Sequence, residues 1–331
     1  MKSSIFRGAA AAFAAVLMAV VSAFAQSTPG RTLTGTVLLE DEPVPSVPVT
    51  LHRVTAEESG PIGTQVSDSE GRFSFDLPAP DTSAFEVFLV TAEYHTVRYF
   101  GQPVHGGVVP ADYSVAVYDT TSVLPGAIRV ARRDMVLLPE TTGGWEANEI
   151  IRLHNSADRT LVSADGMPTW EMRLPAGVTD FQAGEGEMTA PEVARMGDRV
   201  LLLSSILPGD RELFIRYRIP PELEEAVLPL GTATDTFHVF VGQPSPSLEV
   251  EGMATTKVVE VQGQRFVQYG VTGLEAGSEI ALRWDAPLTP PISPEAAGAG
   301  AALLVLLAGS WFAARARSSR RSTAPATPAS G

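Results

Sequence analysis

The sequence predicts an all-β protein that carries one membrane helix near its C-terminus. Three observations support this fold class. Between residues 31 and 287, apolar and polar residues alternate with a period of two, and turn-forming residues separate the alternating runs. No long helical pattern lies in that part of the chain. Further on, a charge-free apolar stretch has the length of a membrane span.

Residues 1–25 have the composition of a secretory signal peptide. Lys2 and Arg7 give a positive first region, residues 9–21 give an apolar segment, and residues 23–25 form an Ala-Phe-Ala cleavage site. We therefore expect the chain to be exported and cleaved after this tripeptide. An uncleaved N-terminal anchor is the alternative interpretation.

Residues 296–314 are predicted to form a transmembrane helix. The stretch contains no charge and would be roughly 28 Å long as a helix. Four arginines follow at once, and positive flanks mark the cytoplasmic side. We therefore expect residues 315–331 to form a disordered basic tail in the cytoplasm. The protein would lie in the bacterial inner membrane, with its β-rich part extracytoplasmic.

Composition excludes several kinds of chemistry. The chain of 331 residues contains no cysteine, so it has no disulfide, no thiolate metal site and no cysteine nucleophile. Its formal net charge is −14, and several of its arginines lie in the predicted tail. An acidic extracytoplasmic part argues against a nucleic-acid partner.

The β-rich region divides into short strands. Strict alternation marks residues 72–77, 170–174, 212–219 and 280–284, and each run would place one face on a core. Many short strands at regular spacing are typical of β-sandwiches. One short helix is conceivable at residues 189–196, where a threonine could cap a first turn that contains proline.

The first β region carries the motifs of a known family. A Thr-Gly-Thr-Val segment at residues 34–37 precedes a Pro-Val-Thr-Leu strand at 48–51, and Asp-Ser-Glu-Gly-Arg-Phe follows at 68–73. This order resembles the carboxypeptidase regulatory-like domain over residues 31–119. Residues 42–45 depart from the family's Gly-Xaa-Pro before the second strand. The resemblance implies a transthyretin-like Greek-key sandwich that acts as an accessory, binding or spacing module. It also implies a relation to folds that bind carbohydrate.

The second β region spans residues 128–287. Its strand–turn–strand pattern at residues 149–160 is common in immunoglobulin-like envelope domains, so we predict an Ig-like β-sandwich. The pattern is compatible with one sandwich or with two small ones. Residues 243–247 would then be a long loop or a linker.

No catalytic, cofactor-binding or metal-binding residue is predicted. The five histidines do not have the spacing of a zinc peptidase, and no nucleophile elbow or phosphate-binding loop follows a strand. The histidines are His52, His95, His105, His154 and His238. We therefore expect a protein that is not an enzyme and needs no cofactor.

Three weaker candidates have a simpler interpretation. Four carboxylates could form an oxygen-rich calcium site, although a solvated turn is the favoured interpretation. They are Asp41, Glu42, Asp68 and Glu70. The glutamates of residues 222–225 indicate a solvated loop. Trp145 follows two glycines and could stack on a sugar ring, although most tryptophans lie in a core or an interface.

These observations predict a non-enzymatic, membrane-anchored binding or scaffold protein of the bacterial envelope. An accessory subunit of a membrane complex, with a protein partner in the envelope, is one form of this role. Carbohydrate binding is an alternative that rests on fold analogy. There are two further alternatives. One is an enzyme with an unrecognised site in a cleft, and the other is a sensor that signals through the membrane helix.

Overall fold

The computed structural model describes residues 31–78, 86–105, 110–141, 143–184 and 192–284. In these residues the protein forms 24 β-strands and no α-helix, which confirms the all-β prediction for this part of the chain. The chain divides into two compact units between Val117 and Tyr118.

The first unit consists of a four-stranded and a five-stranded sheet. Its described strands are β1 (Arg31–Leu39), β2 (Glu42–Pro43), β3 (Pro48–Thr55), β4 (Ser59–Val66), β5 (Arg72–Leu77), β6 (Glu86–Tyr94), β7 (Val97–Phe100), β8 (Val104–His105) and β9 (Tyr113–Val117). In the four-stranded sheet, β1 pairs with β2 and β5 antiparallel and with β9 parallel. The five-stranded sheet has the order β4-β3-β6-β7, and β8 also pairs with β6.

Alternating burial builds the core of this sandwich. On β5, Phe73 and Phe75 are buried, while Arg72, Ser74 and Asp76 are exposed. The Phe75 ring reaches across to Gly63 of β4, so the two sheets pack face to face. The β-sandwich prediction is therefore confirmed for this unit.

The packing around Gly35 explains why the Thr-Gly-Thr-Val segment has a glycine at this position. It pairs with Phe73 on one side and with Tyr113 on the other, and the two rings meet edge to face with centroids 6.3 Å apart. A Cβ atom on Gly35 would lie 2.5 Å from Phe73 Cζ and 2.9 Å from Tyr113 Cδ1. The rings therefore occupy the space that any side chain would need.

The second unit has 15 strands among its described residues. They are β10 (Thr120–Thr121), β11 (Ile128–Pro139), β12 (Trp145–Asn155), β13 (Thr160–Leu161), β14 (Trp170–Arg173), β15 (Thr179–Ala183), β16 (Val193–Met196), β17 (Arg199–Leu202), β18 (Gly209–Ile219), β19 (Glu225–Leu230), β20 (Thr234–Gly242), β21 (Leu248–Val250), β22 (Ala254–Val261), β23 (Gln264–Leu274) and β24 (Ser278–Trp284).

A wide mixed sheet organises this unit. Seven strands follow the order β15-β18-β12-β11-β20-β23-β22, and only β11 and β20 pair parallel. One face of this sheet, called here the inner face, shares a single buried core with two three-stranded sheets, β14-β17-β16 and β19-β24-β21. The opposite face is called the outer face.

The second unit is larger than the predicted Ig-like sandwich. Seven strands in one sheet exceed either sheet of a constant-type immunoglobulin domain, and two small sheets together cover the inner face. Residues 243–247 connect β20 to β21, and both strands contribute to the same core. The strands β11, β12, β18 and β23 of this sheet are long, with eleven or twelve residues each.

The short helix considered for residues 189–196 is not formed where the structure describes it. Val193–Met196 is strand β16, which pairs antiparallel with β17. Val193 is buried in the core, so its tertiary packing outweighs the local helix signal. Residues 189–191 lie outside the described part of the chain.

The predicted signal peptide at 1–25, the membrane helix at 296–314 and the tail at 315–331 lie outside the described residues. Within the described ranges, no helix has the length and apolarity needed to cross a membrane.

We predict that Gly35→Ala destabilises the first unit by about 1–3 kcal/mol, because the added methyl group overlaps both rings. Urea denaturation of the full chain measures the loss. Gly60→Ala is the matched control, since a Cβ atom at that position meets nothing within 4 Å. Equal unfolding midpoints for the two variants would show that the rings do not require Gly35.

Candidate functional site

Three polar side chains meet inside the core of the second unit. Arg133 of β11, Glu149 of β12 and Tyr217 of β18 lie on neighbouring strands of the seven-stranded sheet and are buried with its inner-face residues. Arg133 donates from Nε to Glu149 Oε2 at 2.5 Å and from Nη2 to Oε1 at 3.0 Å. Tyr217 donates its hydroxyl to Oε1 at 2.6 Å. We refer to these residues as the buried cluster.

The electrostatics of the buried cluster favour one ionisation state. Burial by itself lowers the pKa of the Arg133 guanidinium, but the charge and hydrogen bonds of Glu149 outweigh it and raise that pKa. Burial, and then the negative charge of Glu149, raises the pKa of Tyr217 well above its ordinary value. The Arg133 guanidinium also lies 4.9 Å from the centre of the Phe237 ring, within the range of a cation–π contact.

The side chains of the buried cluster stabilise charge and do not exchange protons readily. Both carboxylate oxygens of Glu149 already accept hydrogen bonds, and Tyr217 stays a neutral donor. A general acid or base works best with a pKa near the working pH, and the pKa of Tyr217 is displaced away from it. The buried cluster therefore has the properties of a fixed ion pair.

A narrow cleft reaches the buried cluster from the boundary between β14 and β19. Its volume is about 10 Å³, room for roughly one water molecule, and Arg133 is one of its mainly apolar lining residues. Trp170 Nε1 donates to Thr232 Oγ1 at 2.9 Å across this boundary. The side chain of Arg133 is only 4% exposed, so the cleft gives a ligand little access to it.

The outer face of the same sheet carries further closed ion pairs. The buried carboxylate of Asp134 accepts from Arg132 Nε at 2.6 Å and lies 2.9 Å from His238 Nδ1. Arg152 donates from Nη2 to the buried Glu212 at 2.5 Å. Each acid is thus matched by a base on the same or a neighbouring strand.

His154, His238 and His52 each lie next to a different polar side chain. His154 Nδ1 lies 2.6 Å from Asp210 Oδ1, directly opposite on β18, and His238 pairs with Asp134. His52 Nε2 lies 3.1 Å from Thr91 Oγ1, and burial, followed by the charge of Arg98, lowers its pKa.

The remaining two histidines belong to the first unit. His95 stacks on Tyr94 with ring centroids 4.0 Å apart, and His105 ends the short strand β8. In the described ranges, no group of three or more His, Asp or Glu side chains is arranged to hold a metal ion.

Of the four carboxylates weighed as a calcium site, Asp68 and Glu70 lie in one turn. Asp41 and Glu42 are exposed where β1 turns into β2. Asp68 Oδ1 accepts the backbone N–H groups of Glu70 and Arg72 at 2.9 and 2.8 Å, and Arg72 pairs with both acids. These hydrogen bonds, with that of Arg72 first, lower the pKa of Asp68. Gly71 adopts a φ of 70°, which favours glycine.

Trp145 lies in the core, and the glutamates of residues 222–225 lie at the surface. Trp145 is fully buried, with its ring centre 6.0 Å from that of Trp284, so it cannot stack on a sugar. Glu222 and Glu224 are exposed, and Glu225 pairs with Arg283 at 2.8 Å.

The buried cluster was not identified from the sequence. Glu149 shares its face of β12 with Ala147 and Ile151, so a charged residue at an apolar position of the alternating pattern was the available signal. Its partners lie 16 and 68 residues away, and nothing in the pattern connects them.

No protein-family model and no curated protein sequence matches the chain. Among solved structures, the M1 zinc metallopeptidase from Deinococcus radiodurans is similar with 12% identity and a TM-score of 0.29, over 47% of this chain and 42% of that one. A mutant of that peptidase bound to a Tyr-Ser-Ala substrate has 13% identity and a TM-score of 0.30, over 49% of this chain and 44% of that one. A two-domain M1 zinc metallopeptidase mutant bound to L-tryptophan has 13% identity and a TM-score of 0.30, over 47% of this chain and 43% of that one. The chain spans less than half the length of these peptidases, and at this level of similarity no family is assigned.

We predict that Glu149→Gln lowers the free energy of unfolding by about 3–5 kcal/mol, because it leaves the Arg133 charge buried without its carboxylate. Urea denaturation of the full chain measures the loss. Glu171→Gln removes an exposed carboxylate paired with Arg199 and should cost less than about 1 kcal/mol. Similar losses for the two variants would contradict the importance of the buried cluster.

The stabilisation provided by Tyr217 should depend on pH. Its folded-state pKa is raised, so the folded state holds the phenol proton more tightly than the unfolded state does. This stabilisation is complete below about pH 10 and is lost as the pH rises through the folded-state pKa. The difference in unfolding free energy between wild type and Tyr217→Phe, measured in urea at several pH values, should shrink above about pH 10. A difference that grows there would be the opposite of what this pKa shift requires.

Proposed function

We propose that this chain is a non-enzymatic scaffold or binding protein of the bacterial envelope, anchored in the inner membrane by residues 296–314. Its two β-units would lie on the extracytoplasmic side, and residues 315–331 would lie in the cytoplasm. An accessory subunit of a membrane complex, with a protein partner in the envelope, fits this organisation.

The observation that carries the proposal is how the second unit uses its charged groups. The buried carboxylates of Asp134, Glu149 and Glu212 each bind an arginine or a histidine within 2.5–3.1 Å. Groups held in this way maintain a sheet and are poorly placed to attack, protonate or coordinate a substrate. A rigid sheet with few reactive groups supports a role in holding or positioning a partner.

The first unit supports an accessory role by its motifs. Gly35 lies under the rings of Phe73 and Tyr113, and Asp68 closes the turn that precedes Phe73. These residues are the ones that give the chain its resemblance to the carboxypeptidase regulatory-like domain. We therefore propose a transthyretin-like Greek-key topology for this unit, as an accessory module.

The proposed anchor rests on the sequence. The uncharged stretch at 296–314 has the length of a span, and the arginines that follow it fit the cytoplasmic side. The apolar segment and cleavage site within residues 1–25 fit export of everything between.

The proposal predicts a membrane-bound chain without hydrolase activity. After alkaline carbonate extraction, the full chain should stay in the membrane pellet, whereas a variant lacking residues 296–314 should be released into the periplasm. The full chain, purified in detergent, should hydrolyse neither casein nor p-nitrophenyl esters or glycosides above the rate of buffer alone.

Two results would contradict this function. A full chain that carbonate extracts as readily as the deletion variant is not anchored by these residues. A hydrolase activity that co-purifies with the full chain and is lost in His154→Gln or His238→Gln, but retained in His95→Gln, would assign catalysis to the outer-face histidine pairs.

A further inference from the structure

A groove crosses the outer face of the seven-stranded sheet next to its edge strand β15. Its volume is about 260 Å³. The residues whose side chains or glycine Cα border it on the outer face are Asn148, Gln182, Gly184, Phe214 and Arg216. Glu149 and Ile215 also line it, and because their side chains lie in the core, their backbone forms its floor.

The two walls of the groove differ in polarity. Strand register places Gln182, Arg216 and Asn148 side by side in one row across three strands. The next row contains Phe214 opposite the buried Ile150. The groove therefore has a hydrogen-bonding wall and an apolar wall, which lie side by side on the outer face of the sheet.

Gly184 keeps the apolar wall open beside Phe214. Its backbone N–H donates to Phe214 O at 2.8 Å, which continues the edge pairing of β15. A Cβ atom at this position would lie 2.9 Å from Phe214 Cβ, so any side chain would crowd the aromatic residue. Phe214 itself is half-buried, which leaves part of its ring available at the groove.

The polar wall is held in place and retains hydrogen-bonding capacity. Arg216 donates from Nη2 to Gln182 Oε1 at 2.6 Å, and Asn148 donates from Nδ2 to Glu146 Oε1 at 2.9 Å. These contacts orient the side chains and leave the Gln182 amide N–H groups, the Asn148 carbonyl and the other guanidinium nitrogens for a ligand. Among the described residues, Arg216 has no carboxylate within ion-pair distance.

We propose that this groove binds a saccharide that carries a carboxylate, such as a uronic acid unit. A sugar ring has an apolar C–H face, which suits Phe214, and a hydroxyl edge, which suits the amides of Gln182 and Asn148. The fork of N–H groups on Arg216 matches a carboxylate. The row of three strands is roughly 10 Å wide, about the length of two linked sugar rings.

The test is a titration of the full chain with digalacturonate, in a detergent that has no sugar headgroup. Isothermal calorimetry should detect binding, with cellobiose binding about tenfold more weakly because it lacks the carboxylate. Arg216→Ala and Phe214→Leu should each raise the Kd for digalacturonate about tenfold or more. Phe214→Leu keeps an apolar residue at the site and so preserves the packing on which folding depends.

A control variant distinguishes binding in the groove from binding elsewhere on the sheet. Arg265→Ala removes an exposed arginine from β23 and should bind digalacturonate as the wild type does. No heat of binding with digalacturonate would overturn the proposal. So would equal affinity for cellobiose, unchanged affinity in folded Arg216→Ala protein, or tighter binding of an acidic tetrapeptide than of the sugar.

Discussion

The buried ion pair between Arg133 and Glu149 is the constraint on which the second unit depends. Removing two charges from water costs free energy, and the pair is tolerated because two hydrogen bonds join its members while Tyr217 satisfies the carboxylate further. The three strands that carry these residues are adjacent in the sheet. The pair therefore requires one arrangement of the central strands of the sheet.

The ion pair also opposes errors in strand register. In a β-strand successive side chains point to opposite faces, so a slip of one residue would move Glu149 from the core to the outer face. Apolar residues alone tolerate such errors better, since several of them have similar shape and no directional partner.

The buried cluster also positions the groove on the outer face. Asn148 precedes Glu149 on β12, and Arg216 precedes Tyr217 on β18. Because neighbouring residues alternate in direction, fixing Glu149 and Tyr217 in the core places Asn148 and Arg216 together on the opposite face. A structural interaction on one face of the sheet therefore arranges the hydrogen-bonding wall that we propose as a sugar-binding surface on the other.

The strands are easier to predict from the sequence than the contacts between them. Alternation is local, so it correctly places Phe73 on a buried face, and the turn at Asp68 follows from its own residues. The buried cluster joins residues 16 and 68 positions apart, and no local pattern encodes such a pairing. The helix considered for residues 189–196 is wrong over Val193–Met196 for the same reason, because a local cap signal says nothing about the strand that pairs alongside. A surface role for Trp145 was conceivable only because its burial depends on strands distant in the sequence.

A double-mutant cycle between Arg133 and Glu149 tests the central claim most directly. The free energies of unfolding of the full chain, Arg133→Met, Glu149→Leu and the double variant would be measured in urea. The account predicts that each single variant loses about 3–5 kcal/mol and that the double variant recovers much of this loss, because no charge is then left unpaired in the core. Losses that simply add in the double variant would show that the two residues act independently, which would contradict the constraint proposed here.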